Sequence, residues 1–141
     1  MIQFLSEDIE MPALELEAVR TWIPRVVASH GKKPGNIHYI FCSDRRILEV
    51  NLSFLQHDYY TDIITFDYTQ GDRVSGAIYI SLDTVSSNAG QLGTLEKEEL
   101  LRVIAHGVLH LCGFKDKTPE DAQNMRAREQ KALDIRPLDL I

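Results

Sequence analysis

The chain is expected to fold as an α+β domain, a small four-stranded sheet packed with about five helices. Three observations predict this. Four short runs are rich in β-branched and aromatic residues, longer stretches between them carry apolar residues at helical spacing, and cap residues stand where those stretches begin. With 141 residues, 44% of them hydrophobic and 26% charged, the composition is that of a globular chain, and residues 1–141 are expected to form a single domain.

A first strand is predicted over residues 2–5. A helix over about 14–30 follows, because Val19, Trp22, Ile23, Val26 and Val27 fall on one stripe; Pro24 inside it should kink it or shift its start. H-G-K-K-P-G-N reads as a turn and residues 37–42 as a second strand. Ser43-Asp44 can cap a helix running to about residue 55 through Ile47, Leu48 and Leu52. Residues 63–68 and 77–81 read as two strands separated by Q-G-D-R-V-S-G, and a helix is expected from 83 to about 89. Thr94 is expected to cap the next helix, with Glu96, Glu98 and Glu99 in its first turns. Thr118-Pro119-Glu120-Asp121 combines a cap residue, a proline at the first helical position and acids on the helix dipole, and so starts a last helix.

Several function classes are disfavoured. No stretch approaches 18 uncharged apolar residues, so no transmembrane helix is expected. The N-terminus lacks a basic region before its apolar run and turns acidic at once, unlike a signal peptide. Cys42 and Cys112 make a poor disulfide framework and read as buried thiols in a reducing cytoplasm. A net charge of −6 argues against broad nonspecific nucleic-acid binding, although Arg45-Arg46, Lys32-Lys33 and Lys115 with Lys117 are small clusters from which a local basic groove can be built.

The chemistry concentrates in residues 106–116, H-G-V-L-H-L-C-G-F-K-D. Residues four apart share a helix face, so His106 and His110 can present two imidazoles to one point. Apart from Arg102 they are the only strongly polar side chains in residues 100–112. Two imidazoles on such a helix need partners, because burying polar groups unpaired costs several kcal/mol. A structural hydrogen-bonding role is one answer and a metal ion is the favoured one. Gly113 can end the helix in a left-handed cap and turn the chain back, which makes Asp116 a candidate third ligand. Cys112 lies about 200° around the helix from His110, at roughly 100° per residue, and points elsewhere. Lys115 and Lys117 are cations, and Asp121 falls in the next helix. Three protein ligands with a fourth position open is the pattern of a catalytic zinc.

H-G-V-L-H-L-C-G resembles the signature of the YbeY family of bacterial metal-dependent endoribonucleases and ribosomal RNA maturation factors. V-N-L-S-F-L-Q-H-D-Y-Y-T-D-I-I-T-F-D and S-G-A-I-Y-I-S are similar to the family's cleft-lining segment and the strand that follows, so the resemblance spans about residues 37–133. Three positions depart from the pattern: Asp116 stands for a third histidine, Leu55 for an arginine, and Ala77 for an acid. A carboxylate still binds zinc, at about 2.0–2.2 Å. It lowers the charge of the site by one relative to three imidazoles, which weakens the metal as a Lewis acid.

The resemblance implies a mixed four-stranded sheet related to zinc peptidases, one zinc ion per chain, and cleavage of single-stranded RNA in ribosomal RNA processing and ribosome quality control. The small ribosomal subunit is the implied partner. His57, Asp58, Thr61 and Thr65 are expected to line the cleft beside the metal, with His57, Asp58 and Thr65 as the catalytic candidates, and Lys115 or Lys117 to meet RNA phosphates. Three alternatives stand beside this reading. A peptidase would need the glutamate of H-E-x-x-H, where this chain has Gly107. Two histidines and a carboxylate also make the facial triad of iron(II) oxygenases. A ribosome-assembly module with a purely structural metal would tolerate the loss of the arginine.

Overall fold

The computed structural model describes residues 1–55 and 61–141. Its elements run β1 Ile2–Ser6, α1 Leu16–Ala28, β2 Lys33–Cys42, α2 Asp44–Val50, β3 Ile63–Asp67, β4 Arg73–Ser81, α3 Leu82–Leu92, α4 Glu96–Leu111 and α5 Pro119–Asp134. The strands form one sheet in the order β1-β2-β4-β3. β1 pairs with β2 and β2 with β4 in parallel, while β3 runs antiparallel to β4. This is the expected α+β class, with a mixed four-stranded sheet and five α-helices among the described residues. No helix among the described residues is long and apolar enough to cross a membrane.

The stripe that predicted α1 is its buried face: Val19, Trp22, Ile23, Val26 and Val27 are all fully buried. The helix continues through Pro24 without a break, so packing along that stripe outweighs the lost backbone bond. Buried aromatic residues place their polar tips on backbone carbonyls: Trp22 Nε1 donates to Ala132 O at 2.8 Å and Tyr39 Oη to Ile104 O at 2.9 Å. These bonds tie α1 to α5 and β2 to α4. Cys42 and Cys112 are buried free thiols, and burial pushes their pKa values up to about 12 and about 11, which keeps both unreactive.

Four expectations shift. β2 begins at Lys33 and β4 at Arg73, earlier than predicted, because the turn before β4 is short: Gln70 and Arg73 exchange backbone hydrogen bonds of 3.0 and 3.2 Å. α2 ends at Val50 and passes into a π-helical turn over Asn51–Leu55. Its buried stripe is Ile47, Val50 and Asn51, and the expected member Leu52 is 44% exposed. A polar residue at the i+4 position hid that stripe from an apolar-pattern reading. α4 has Leu95, not Thr94, at its N-cap and no side-chain cap bond. Thr94 belongs to the preceding turn, where its N–H bonds Ala89 O as α3 ends at Gly93. Thr118 does cap α5, accepting from Asp121 N, with Pro119 in the first turn.

The register of β3 on β4 pairs Ile63 with Ile80 and Thr65 with Ile78, and this face lies under α4. Side chains alternate along a strand, so Ala77 projects from the opposite face of the sheet and lies away from the histidine helix. The departure at Ala77 therefore leaves the surroundings of His106 and His110 unchanged.

Gly107 sits where α4 crosses this face. A Cβ there would meet Ile78 Cγ2 at 2.8 Å and Ile63 Cδ1 at 2.9 Å. No glutamate fits at that position, which removes the general base of the peptidase alternative. Helix propensity alone says that Gly107→Ala gains about 1 kcal/mol. Overpacking of this kind costs about 1–3 kcal/mol. Since Ile78 Cγ2 branches directly from a strand residue, overpacking should win and Gly107→Ala should unfold at lower urea. A midpoint at or above wild type would show that helix and sheet have room to separate.

Candidate metal centre

α4 carries His106 and His110 on the edge that faces out beyond β3. The helix ends as Gly113 predicted: with φ at +103°, this residue lets Phe114 N bond Leu109 O at 3.1 Å and Gly113 N bond His110 O at 2.9 Å. That reversal carries Asp116 back over the helix end. His106 Nε2 and His110 Nε2 are 2.9 Å apart, and Asp116 Oδ2 lies 3.2 and 3.4 Å from them. The three residues offer ligand atoms all within 4.8 Å of one another, a group able to hold a metal ion. Their side chains are 14%, 24% and 39% exposed, so the site is open on the Asp116 side.

The outer nitrogens decide what the inner ones can do. His110 Nδ1 lies 2.9 Å from Phe114 O, a carbonyl that can only accept, so His110 carries its proton on Nδ1. His106 Nδ1 lies 2.5 Å from Glu129 Oε2 and donates to it in the same way. Both Nε2 atoms are then bare lone pairs, turned toward each other and toward a carboxylate oxygen. Three acceptors converge with no proton among them, an arrangement that a cation resolves. Ligand atoms around a tetrahedral ion with bonds of about 2.0–2.1 Å lie roughly 3.3 Å apart. The observed 2.9, 3.2 and 3.4 Å fit that requirement.

Behind His106 stands a charged network that the sequence did not announce. Glu99 and Glu129 are 3% and 2% exposed. Arg102 donates to both oxygens of Glu99 at 2.9 and 2.6 Å and to Glu129 Oε1 at 3.0 Å. Burial pushes the Glu129 pKa up, but the hydrogen bond from His106 and the charge of Arg102 outweigh it and hold the carboxyl below its ordinary value. The hydrogen bonds and charge of the two glutamates keep Arg102 protonated against the cost of its burial. The sequence places Glu99 only in the first turns of its helix and gives Glu129 no role. The only sequence signal was the spacing of Glu99, Arg102 and His106 along one helix; Glu129 comes from α5.

The centre opens into a cleft of about 570 Å³ lined by Asn51, Leu55, Arg102 and Lys117, by Thr61 just before β3 and by the start of β3, including Thr65. Thr61 and Thr65 thus lie beside the centre as expected, while His57 and Asp58 fall outside the described residues. Lys117 joins the lining; Lys115 does not. Arg46 is neutralised by Glu7 and Glu49, so the Arg45-Arg46 pair supplies no basic groove. Asp62 also lines the cleft and was missed. Burial raises its pKa, with His106 and Arg102 opposing. Asp62 lies within the segment that resembles the family's cleft-lining stretch, but no spacing singled it out from its neighbours.

The family model described as "Endoribonuclease YbeY" matches residues 1–135, a wider span than the motifs themselves covered. The chain is 55% identical over 136 residues to the endoribonuclease YbeY of Parabacteroides distasonis, covering 96% of each chain. It is 54% identical to that of Bacteroides thetaiotaomicron, covering 96% of this chain and 98% of the relative. Among solved structures, the solution structure of TM1509 from Thermotoga maritima superimposes with a TM-score of 0.68 at 29% identity, covering 95% of this chain and 90% of the other.

Proposed function

The chain belongs to the YbeY endoribonuclease family and is a hydrolase acting on RNA; on that premise we propose that it is a zinc-dependent, single-strand-specific enzyme of ribosomal RNA processing and ribosome quality control, acting in the cytoplasm on RNA of the small ribosomal subunit. The observation that carries the metal-dependent reading is the convergence of two bare Nε2 lone pairs and the Asp116 carboxylate, with both Nδ1 protons fixed from outside. One zinc ion per chain would be held by His106, His110 and Asp116.

Held by His106, His110 and Asp116, a divalent ion would supply Lewis-acid polarisation of the scissile phosphate. The remaining roles fall to the chain. Lys117 offers a cation to the phosphate backbone, in place of the arginine replaced by Leu55. Asp62, a carboxyl with a raised pKa on the cleft wall, is placed to accept the proton of the attacking oxygen. Thr65, together with His57 and Asp58, is proposed to face the substrate. The open cleft of about 570 Å³ beside the metal ligands has room for unstacked bases, the form in which single strands are usually recognised.

The test pairs metal analysis with cleavage of a single-stranded oligoribonucleotide. Purified without chelator, the protein should carry about one zinc per chain, and EDTA should abolish cleavage while the circular dichroism spectrum keeps most of its helix. Asp62→Asn should keep its metal and lose most turnover. Loss of the helical spectrum on chelation, with no cleavage by the metallated protein, would establish a structural metal in a ribosome-assembly module instead.

A further inference from the structure

A second cavity, of about 390 Å³, lies between the end of α1 and the last turns of α5, lined by Ser29, His30, Arg128, Lys131 and Asp134 among others. Arg46 is paired with two carboxylates, Arg102 with two and Arg136 with Glu98. Among the described residues Arg128, like Arg25, Arg73 and Arg126, has no ion pair, but it alone has a buried Nε without any hydrogen-bond partner. Its guanidinium carbon lies 4.0 Å from the centre of the Phe114 ring, and its Nη1 is 3.4 Å from His30 Nδ1. His30 packs edge-on against the same ring at 4.9 Å.

Around the imidazole stand Arg128, Lys131 and Lys32; burial and these three cations hold His30 below its ordinary pKa and so neutral. The one acid in the lining, Asp134, accepts from Gln130 at 3.0 Å. Three cations gathered about a neutral ring in a protein of net charge −6 repel one another, and an anion in the cavity relieves that repulsion. An arginine fork held over an aromatic ring is preorganised for phosphate oxygens. Phe114 joins this cavity to the metal centre, because its ring carries Arg128 while its carbonyl holds His110 Nδ1.

We propose that the His30–Arg128–Lys131 cavity is a second phosphate subsite, which holds a backbone phosphodiester of the RNA strand away from the scissile bond. The proposal rests on the RNA substrate stated above. A strand gripped at this cavity and at the metal centre is held at two points across the Phe114 turn, which fixes its direction through the cleft.

The experiment measures binding of a fluorescent single-stranded oligoribonucleotide to the full chain by anisotropy across a salt series, in EDTA so that no cleavage intervenes. Each phosphate contact contributes about −0.7 to the slope of log K against log salt for single strands. Arg128→Gln should weaken binding about tenfold and flatten the slope by roughly 0.7. Lys131→Gln, at an exposed position of α5, should flatten the slope in the same direction. A titration with inorganic phosphate, read at the His30 ring protons by NMR, distinguishes a free phosphate from a strand. If both variants bind RNA with wild-type affinity and slope, the subsite is overturned, and a His30 response to phosphate alone would then identify a free-anion site. If wild type binds no RNA in EDTA and cleaves none when metallated, the RNA reading of the active site fails instead.

Discussion

Replacing His110 by alanine should remove both the metal and the cleavage activity while leaving the domain folded. Its Nε2 is one of the three converging donors, and no neighbouring nitrogen, sulfur or carboxylate among the described residues stands ready to replace it. Metal catalysis is worth several kcal/mol of transition-state stabilisation, so activity should fall at least about a thousandfold. The side chain is 24% exposed, and its loss frees only the Phe114 carbonyl, which water can reach at the helix end. Elemental analysis should find less than a tenth of the wild-type metal, and the thermal midpoint of the variant should match that of chelated wild type. A variant that retains both metal and activity would refute His110 as a ligand.

Glu129→Gln should weaken the metal about 10- to 100-fold, although Glu129 touches no ligand position of the metal itself. Glu129 accepts from His106 through one oxygen and from Arg102 through the other. An amide has one acceptor and one donor end, so either orientation points an NH2 group at a proton. If the amide donates toward His106, the imidazole must move its proton to Nε2, where it blocks the lone pair the metal needs. Glu129→Ala should go further, because breaking a buried ion pair typically costs about 3–5 kcal/mol. The pH dependence follows from the lowered pKa of Glu129. Its contribution is complete above the ordinary glutamate value of about 4.3 and is lost as pH falls through the lower folded value. Wild type should therefore lose stability on acidification below about pH 4 more steeply than Glu129→Ala. Equal acid sensitivity, or zinc affinity unchanged in Glu129→Gln, would show that the carboxylate does not orient His106.

The amino-acid sequence determined the elements and the donor set, because both depend on local spacing. Apolar residues at i, i+3 and i+4 marked α1, the two histidines one turn apart marked one point on α4, and Gly113 marked the reversal that returns Asp116. The same locality explains the errors. Asn51 concealed the buried stripe of α2 because it is polar, and Thr94 looked like a cap although its N–H serves the preceding helix. Only the tertiary structure decided what surrounds the donors. Glu129 reaches His106 from a different helix, Asp62 reaches the cleft from the start of β3, and Arg128 stands over the ring of the turn that holds His110. Such pairs have no fixed sequence separation, since they depend on how α5, β3 and α4 cross. Buried charge shows this most plainly: Glu99, Arg102 and Glu129 read as ordinary surface residues one at a time, and their burial is tolerable only because packing brings all three together.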